Sequence, residues 1–308
     1  MPNTNRRKVV QSEPNSRRPG VCNTDFMTDI PDIKIDQLID QYDVLLFDSY
    51  GVLAGSTGTF PGAVDLVNHL NDIQKPYFIL TNDASALPET RSQKYAVFGL
   101  IVKADRIITS GSLLKSHFKA MGLNGTRCVV LGTEDSARYT EQAGGTVVGL
   151  NDHFDTIVIG DQSGFPFVEA VDAVMTSLFH RLDKGEHTNL IMPNPDLIYP
   201  EGDGFGMASA SVGLIFEAAL NLRYPERPEL TFTRLGKPHP AIYEEAFSRS
   251  GTMKMAMIGD QLETDIKGAI DFGIDSVLVN TGITNADARN IPDALRPTYR
   301  MHSLEPGT

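Results

Sequence analysis

Short apolar runs alternate with helix-spaced segments along most of this chain, and that alternation leaves few folds open. Residues 44–47 form an apolar run of strand length. Residues 62–73 follow, with Ala63, Leu66, Val67 and Leu70 at helical spacing. A second strand is expected over 76–80, a helix over 87–98 closed by Gly99, and a short strand over 106–109. This rhythm predicts an α/β fold: a Rossmann-like parallel sheet with helices on both faces. It continues with strands over 127–131, 155–159 and 189–192. Between the last two, Phe167, Val171, Val174, Met175, Leu178 and Leu182 mark one face of a helix over 167–182. A loop rich in Pro, Gly and Asp is expected over 194–206. Beyond it come helices near 208–220, 241–247 and 265–272, and strands over 255–258 and 276–279. The segment after Asn285 is polar and weakly patterned.

A chain of 308 residues suits two domains. No run approaches the roughly 20 apolar residues of a membrane-spanning helix, so no membrane partner is expected. The net charge of -12 argues against nucleic acid as a partner, because its phosphates would repel the chain. A small phosphorylated substrate stays open, since local cations override the mean field. Cys22 and Cys128 are too few for a disulfide framework and read as free thiols of a cytoplasmic protein. Residues 1–30 carry Arg6, Arg7, Lys8, Arg17 and Arg18 among polar residues. They read as a flexible tail, with an organelle presequence as the alternative.

Chemistry-bearing residues collect where strands end, which is where open α/β sheets bind ligands. Asp48 directly follows the first apolar run; a carboxylate there can attack phosphorus, and Gly51 permits the turn that follows. Thr81, Asn82 and Asp83 follow the second strand and can orient phosphate oxygens or merely cap the next helix. Lys237, between Gly236 and Pro238, is placed to balance negative charge. Asp260 ends another strand and Asp265 follows within a short loop. Two carboxylates so close suit a cation, and Mg²⁺ takes a few carboxylates together with waters and phosphate.

Taken together and in this order, Asp48, Thr81-Asn82, Gly236-Lys237-Pro238 and Gly259-Asp260 with Asp265 resemble the haloacid dehalogenase superfamily. The pattern is similar to the subfamily whose large α/β cap is inserted between the second and third motifs. Asn194-Pro195-Asp196 with Tyr199-Pro200 also resembles a segment of that group. The resemblance covers roughly residues 40–285. Separately, about 150 residues divide Thr81 from Lys237 and hold a β-α-β pattern of their own, which argues for an inserted domain rather than a loop.

The implied layout is a core over 31–112 and 210–308 and a cap over 113–209, with residues 202–206 read as the return from cap to core. The implied function is a Mg²⁺-dependent phosphatase acting on a small phosphorylated metabolite through an aspartyl-phosphate. Asp48, Tyr50, Thr81 and Lys237 would be catalytic. Mg²⁺ would sit among Asp48, the Tyr50 carbonyl, Asp260 and Asp265. Asn82, Asp83, Asn194 and Asp196 would bind substrate, and the cap would offer a homodimer contact. Asp196 and Tyr199 either face substrate or shape a turn.

One position departs from the pattern: the family's phosphatases usually carry a second Asp where this chain has Tyr50. A positioned general acid–base is worth about 10²–10⁴ in rate, and a tyrosine is a poor base near neutrality. Three readings follow. The protein is a modest phosphatase, a slow phospho-ligand-binding or regulatory protein, or a dehalogenase-type hydrolase whose halide leaves without a proton.

Overall fold

The computed structural model describes residues 30–55, 58–202, 204–279 and 291–305. The basic stretch over 6–18, Cys22 and the segment just after Asn285 lie outside them. Among the described residues no helix is long and apolar enough to cross a membrane.

Two parallel sheets organise the chain. The first has six strands in the order β15 (Tyr299–Met301), β14 (Asp275–Val279), β13 (Met255–Gly259), β1 (Val44–Asp48), β4 (Tyr77–Thr81) and β5 (Ile107–Thr109). β1, β4 and β13 are buried along their whole length, so both faces must be covered. α1 (Ile35–Gln41), α2 (Ala63–Asp72) and α3 (Pro88–Val97) cover one face through Leu38, Leu66, Leu70 and Tyr95. α8 (Ala241–Ser250) and α9 (Lys267–Phe272) cover the other through Ile242, Tyr243 and Ala269. From β1 the chain winds outward through β4 to β5. It later re-enters on the other side of β1 and winds through β13 and β14 to β15. The carboxyl end of β1 is therefore the switch point where such sheets open a crevice.

The second sheet has the order β12 (Thr233–Arg234), β9 (Asn189–Met192), β8 (Thr156–Ile159), β6 (Arg127–Leu131) and β7 (Thr146–Val148). α6 (Phe167–Asp183) and α7 (Ser209–Arg223) pack one face through Val174, Leu178, Val212 and Phe216. α4 (Leu114–Met121) and α5 (Glu134–Gln142) lie on the other, where Phe118 and Tyr139 join Cys128, Val158 and Ile191 in a cluster continuous with the first sheet. α7 starts at Ser209, the expected end of the cap, and β12 follows it, yet their packing and pairing partners are in the second sheet.

The segment expected as a loop over 194–206 is a β-hairpin instead, β10 (Ile198–Glu201) against β11 (Gly204–Met207). Of the residues 202–206 expected as a return from cap to core, Gly204–Gly206 lie in its second strand, which leads into α7. A further hairpin, β2 (Ala54–Gly55) against β3 (Gly58–Thr59), follows β1.

Besides that shared cluster, the second unit grips the first through α5. From α5 and the turn before it, Thr133 Oγ1, Ser136 Oγ and Tyr139 Oη donate to the carbonyls of Ser85, Ala84 and Ala86 at 2.6, 2.8 and 2.7 Å. Asp135 accepts from the Leu87 N–H and Thr90 Oγ1 (2.9 and 2.7 Å), capping α3 from outside its own chain segment.

Candidate active site

Asp48 is the last residue of β1 and is only 5% exposed. Its Oδ1 accepts from the Ser49 N–H at 2.7 Å and from Lys237 Nζ at 2.6 Å. Lys237 Nζ also lies 2.7 Å from Asp265 Oδ1, and Asp265 Oδ2 accepts the N–H groups of Asp260 and Gln261 at 3.2 Å each. Burial raises the Asp48 pKa well above the usual carboxylate range; Lys237 opposes the rise, and Asp265 and Asp260 add to it. For Lys237, burial disfavours the ammonium, but Asp265 and Asp48 together outweigh burial and hold its pKa above the ordinary value.

Asp48, Asp260 and Asp265 each bring a carboxylate oxygen within 4.8 Å of the others, and all three are buried. Such a buried all-oxygen donor set fits a divalent cation. The approach is tight enough to require glycine at two positions. A Cβ on Gly51, at φ +93°, would fall 2.4 Å from Asp260 Cγ, and one on Gly259 would fall 2.2 Å from Asp265 Cβ.

Around Asp48 opens a cavity of ≈ 310 Å³. The core sheet supplies Thr81, at the end of β4, and Asn82. Asn82 is spoken for at both ends of its amide: Oδ1 accepts the Lys237 N–H at 2.7 Å, and Nδ2 donates to the Lys237 carbonyl at 2.9 Å and to Asp196 Oδ1 at 2.8 Å. Asp83 is likewise committed. Its Oδ1 takes the Ser85 N–H (2.9 Å), and its Oδ2 pairs with Arg91 of α3. Asn194 Oδ1 accepts the Asp196 N–H at 2.9 Å, a side-chain turn that presents Asp196. Burial raises the Asp196 pKa to about 6, against the opposing bond from Asn82. Tyr50 is half-buried on the cavity wall. Burial raises its pKa, partly countered by Arg91, so its phenol stays protonated.

The structure thus brings Asp48, Tyr50, Thr81, Asn82, Asp83, Asn194, Asp196 and Lys237 around one cavity, with Asp260 and Asp265 behind Asp48. Sequence reasoning missed Arg91 and the Asp161-Gln162-Ser163 segment beyond β8, which also line it. Asp161 had a readable signal, since it stands just past a buried apolar run, as Asp48 closes one. Arg91 had none, being one polar residue inside a helical pattern.

Comparison with known proteins agrees. The profile of the haloacid dehalogenase-like hydrolases matches residues 45–146, and a HAD-hydrolase-like profile matches residues 234–306. The chain belongs to the haloacid dehalogenase superfamily of hydrolases. Within it, the chain falls in the subfamily with an α/β cap inserted after the second motif. It is 29% identical over 84% of its length to a dihydroxyacetone phosphatase of Corynebacterium glutamicum, covering 88% of that protein. It is 25% identical over 85% of its length to an acid sugar phosphatase of Staphylococcus epidermidis, covering 95% of it. The fold superposes on a possible sugar phosphatase from Cytophaga hutchinsonii with a TM-score of 0.78 at 26% identity, covering 91% of this chain and 100% of that one.

Proposed function

We propose that this protein is a Mg²⁺-dependent phosphatase that hydrolyses a small phosphorylated metabolite through an aspartyl-phosphate on Asp48. The observation that carries this reading is the buried Asp48–Lys237 pair at the sheet's switch point, with three carboxylates drawn within 4.8 Å. The phosphatase names of the relatives support it.

In this reading the Asp48 carboxylate attacks phosphorus in line. The P–O bond to the leaving group breaks, and water then displaces phosphate from Asp48. Lys237 holds the carboxylate aimed and offsets charge on the phosphoryl oxygens, with the Thr81 hydroxyl as a further donor. Both ends of the Asn82 amide are used by protein groups, so its part is to hold the Lys237 loop and Asp196. Asp83 similarly serves Arg91. Asp48, Asp260, Asp265 and the Tyr50 carbonyl would hold Mg²⁺, which supplies positive charge to the phosphoryl group when bound. The inserted unit is best taken as residues 114–234, because α7 and β12 pack with it. A cytoplasmic site of action fits the buried thiol of Cys128. A homodimer through the cap fits the exposed Ile198, Phe205 and Met207 of the β10–β11 hairpin.

A protonated Tyr50 where the family usually has an acid–base Asp favours substrates with good leaving groups. Hydrolysis of p-nitrophenyl phosphate that requires Mg²⁺ and disappears in Asp48→Asn is the expected result. An inactive native protein that still binds Mg²⁺ would point instead to the phospho-ligand-binding role. The dehalogenase reading is disfavoured, because it gives no reason to draw the buried carboxylates of Asp48, Asp260 and Asp265 within 4.8 Å of one another, as a cation site does.

A further inference from the structure

The cavity has a second wall whose chemistry the phosphoryl site does not use. β8 ends at Ile159, and after Gly160 the chain places Asp161 on the cavity, 7% exposed. Its position is fixed from two directions. The neighbouring turn is seated on the core segment, where Ser136 Oγ donates to the Ala84 carbonyl, and a Cβ on Gly160 would lie 2.7 Å from that same Ser136 Oγ. Its own carboxylate is held by a local turn, with Oδ1 accepting from the Ser163 N–H at 2.9 Å and from Ser163 Oγ at 2.6 Å.

The charges around the cavity do not balance on this side. Among the described residues four carboxylates line it, Asp48, Asp83, Asp161 and Asp196, against two cations, Lys237 and Arg91. Lys237 is engaged by Asp48 and Asp265, and Arg91 by Asp83. Asp161 forms no salt bridge among the described residues. A ligand reaching past the phosphoryl site would therefore meet a fixed carboxylate and no uncommitted cation. Burial raises the Asp161 pKa ahead of the Ser163 bonds that lower it, in keeping with a group held away from bulk water.

We propose that Asp161 determines specificity for the leaving group: it accepts hydrogen bonds from a hydroxylated, uncharged leaving group and rejects one that carries a second anion. This rests on the phosphatase reading above and deepens it. A hydroxyl can donate to the carboxylate, whereas a carboxylate or second phosphate about 5 Å away is disfavoured roughly a hundredfold in a partly buried site.

The test compares kcat/KM for glycerol 3-phosphate and 2-phosphoglycolate in the native protein and in Asp161→Asn. The native enzyme should favour glycerol 3-phosphate by about a hundredfold. The asparagine variant should lose at least tenfold of that ratio, chiefly by gaining on 2-phosphoglycolate. Ser163→Ala, which removes one bond holding Asp161, should lose about threefold, and it carries the test if the first variant folds poorly. A ratio that stays the same in both variants, or a native enzyme that prefers 2-phosphoglycolate, would overturn the proposal. A native protein that also fails on p-nitrophenyl phosphate with Mg²⁺ would overturn the phosphatase reading, and this inference with it.

Discussion

Asp48 and Asp161 occupy equivalent places in two different sheets. Asp48 closes a buried parallel strand and Asp161 stands two residues past the end of another; each is more than nine-tenths buried, and both face the same cavity. Their surroundings differ. Asp48 meets the Lys237 ammonium at 2.6 Å and two more carboxylates, whereas Asp161 accepts from the N–H and hydroxyl of Ser163 and forms no salt bridge among the described residues. A strand-end aspartate is thus an address and not a role. The role is set by what later segments bring to it, here a lysine 189 residues away in one case and a serine two residues away in the other.

The comparison can be broken at its strong end first. Asp48→Asn keeps shape and removes the nucleophilic charge. Hydrolysis of p-nitrophenyl phosphate should fall about 10³-fold or more, read as initial rate at saturating Mg²⁺. Lys237→Met would strip Asp48 of its cation and leave it in company closer to that of Asp161. The rate should fall about 10²–10³-fold. The urea midpoint should also fall, and Mg²⁺ should restore part of it by neutralising the carboxylates left behind.

Asp196 sharpens the contrast, being held by Asn82 and the Asn194 turn with a pKa raised from 3.8 to about 6. The folded state therefore binds this proton more tightly than the unfolded chain. Stability contributed through it is complete below pH 4 and is lost as pH rises to 6, by about 3 kcal/mol in all. Asp196→Asn can still accept from Asn82 and should flatten that dependence. The difference in denaturation free energy between the two proteins at pH 4.5 and pH 7 measures it. An equal difference at both values would show that Asp196 is ionised throughout. The weakened leaving-group preference in Asp161→Asn is smaller still, a loss of at least tenfold, and Ser163→Ala should show the smallest effect, about threefold.

Much of the first sheet was legible from sequence because its strands are buried on both faces and read as unbroken apolar runs. The spacing from Thr81 to Lys237 likewise signalled an insertion. Other features left weaker traces. β10 and β11 carry Pro200, Gly204 and Gly206, residues that mark turns, and their exposed register offers little alternation. β15 is a three-residue edge strand in a polar segment. α7 was visible as a helix, but nothing in its own sequence says which sheet it covers. Within the site, Asn82 and Asp83 were legible as polar groups after a strand. That both are committed to protein partners depends on Lys237 and Arg91, which only the fold brings beside them.

The grip of α5 on residues 84–90 has a consequence for recombination among relatives. Because Asp135 caps α3, and α3 carries Arg91, the inserted unit sets the orientation of a helix that belongs to the other sheet. A chimera that takes this unit from a relative at the sequence junctions alone would transplant one cavity wall and unsettle its neighbour. Exchanging residues 84–91 along with it would keep the two walls matched.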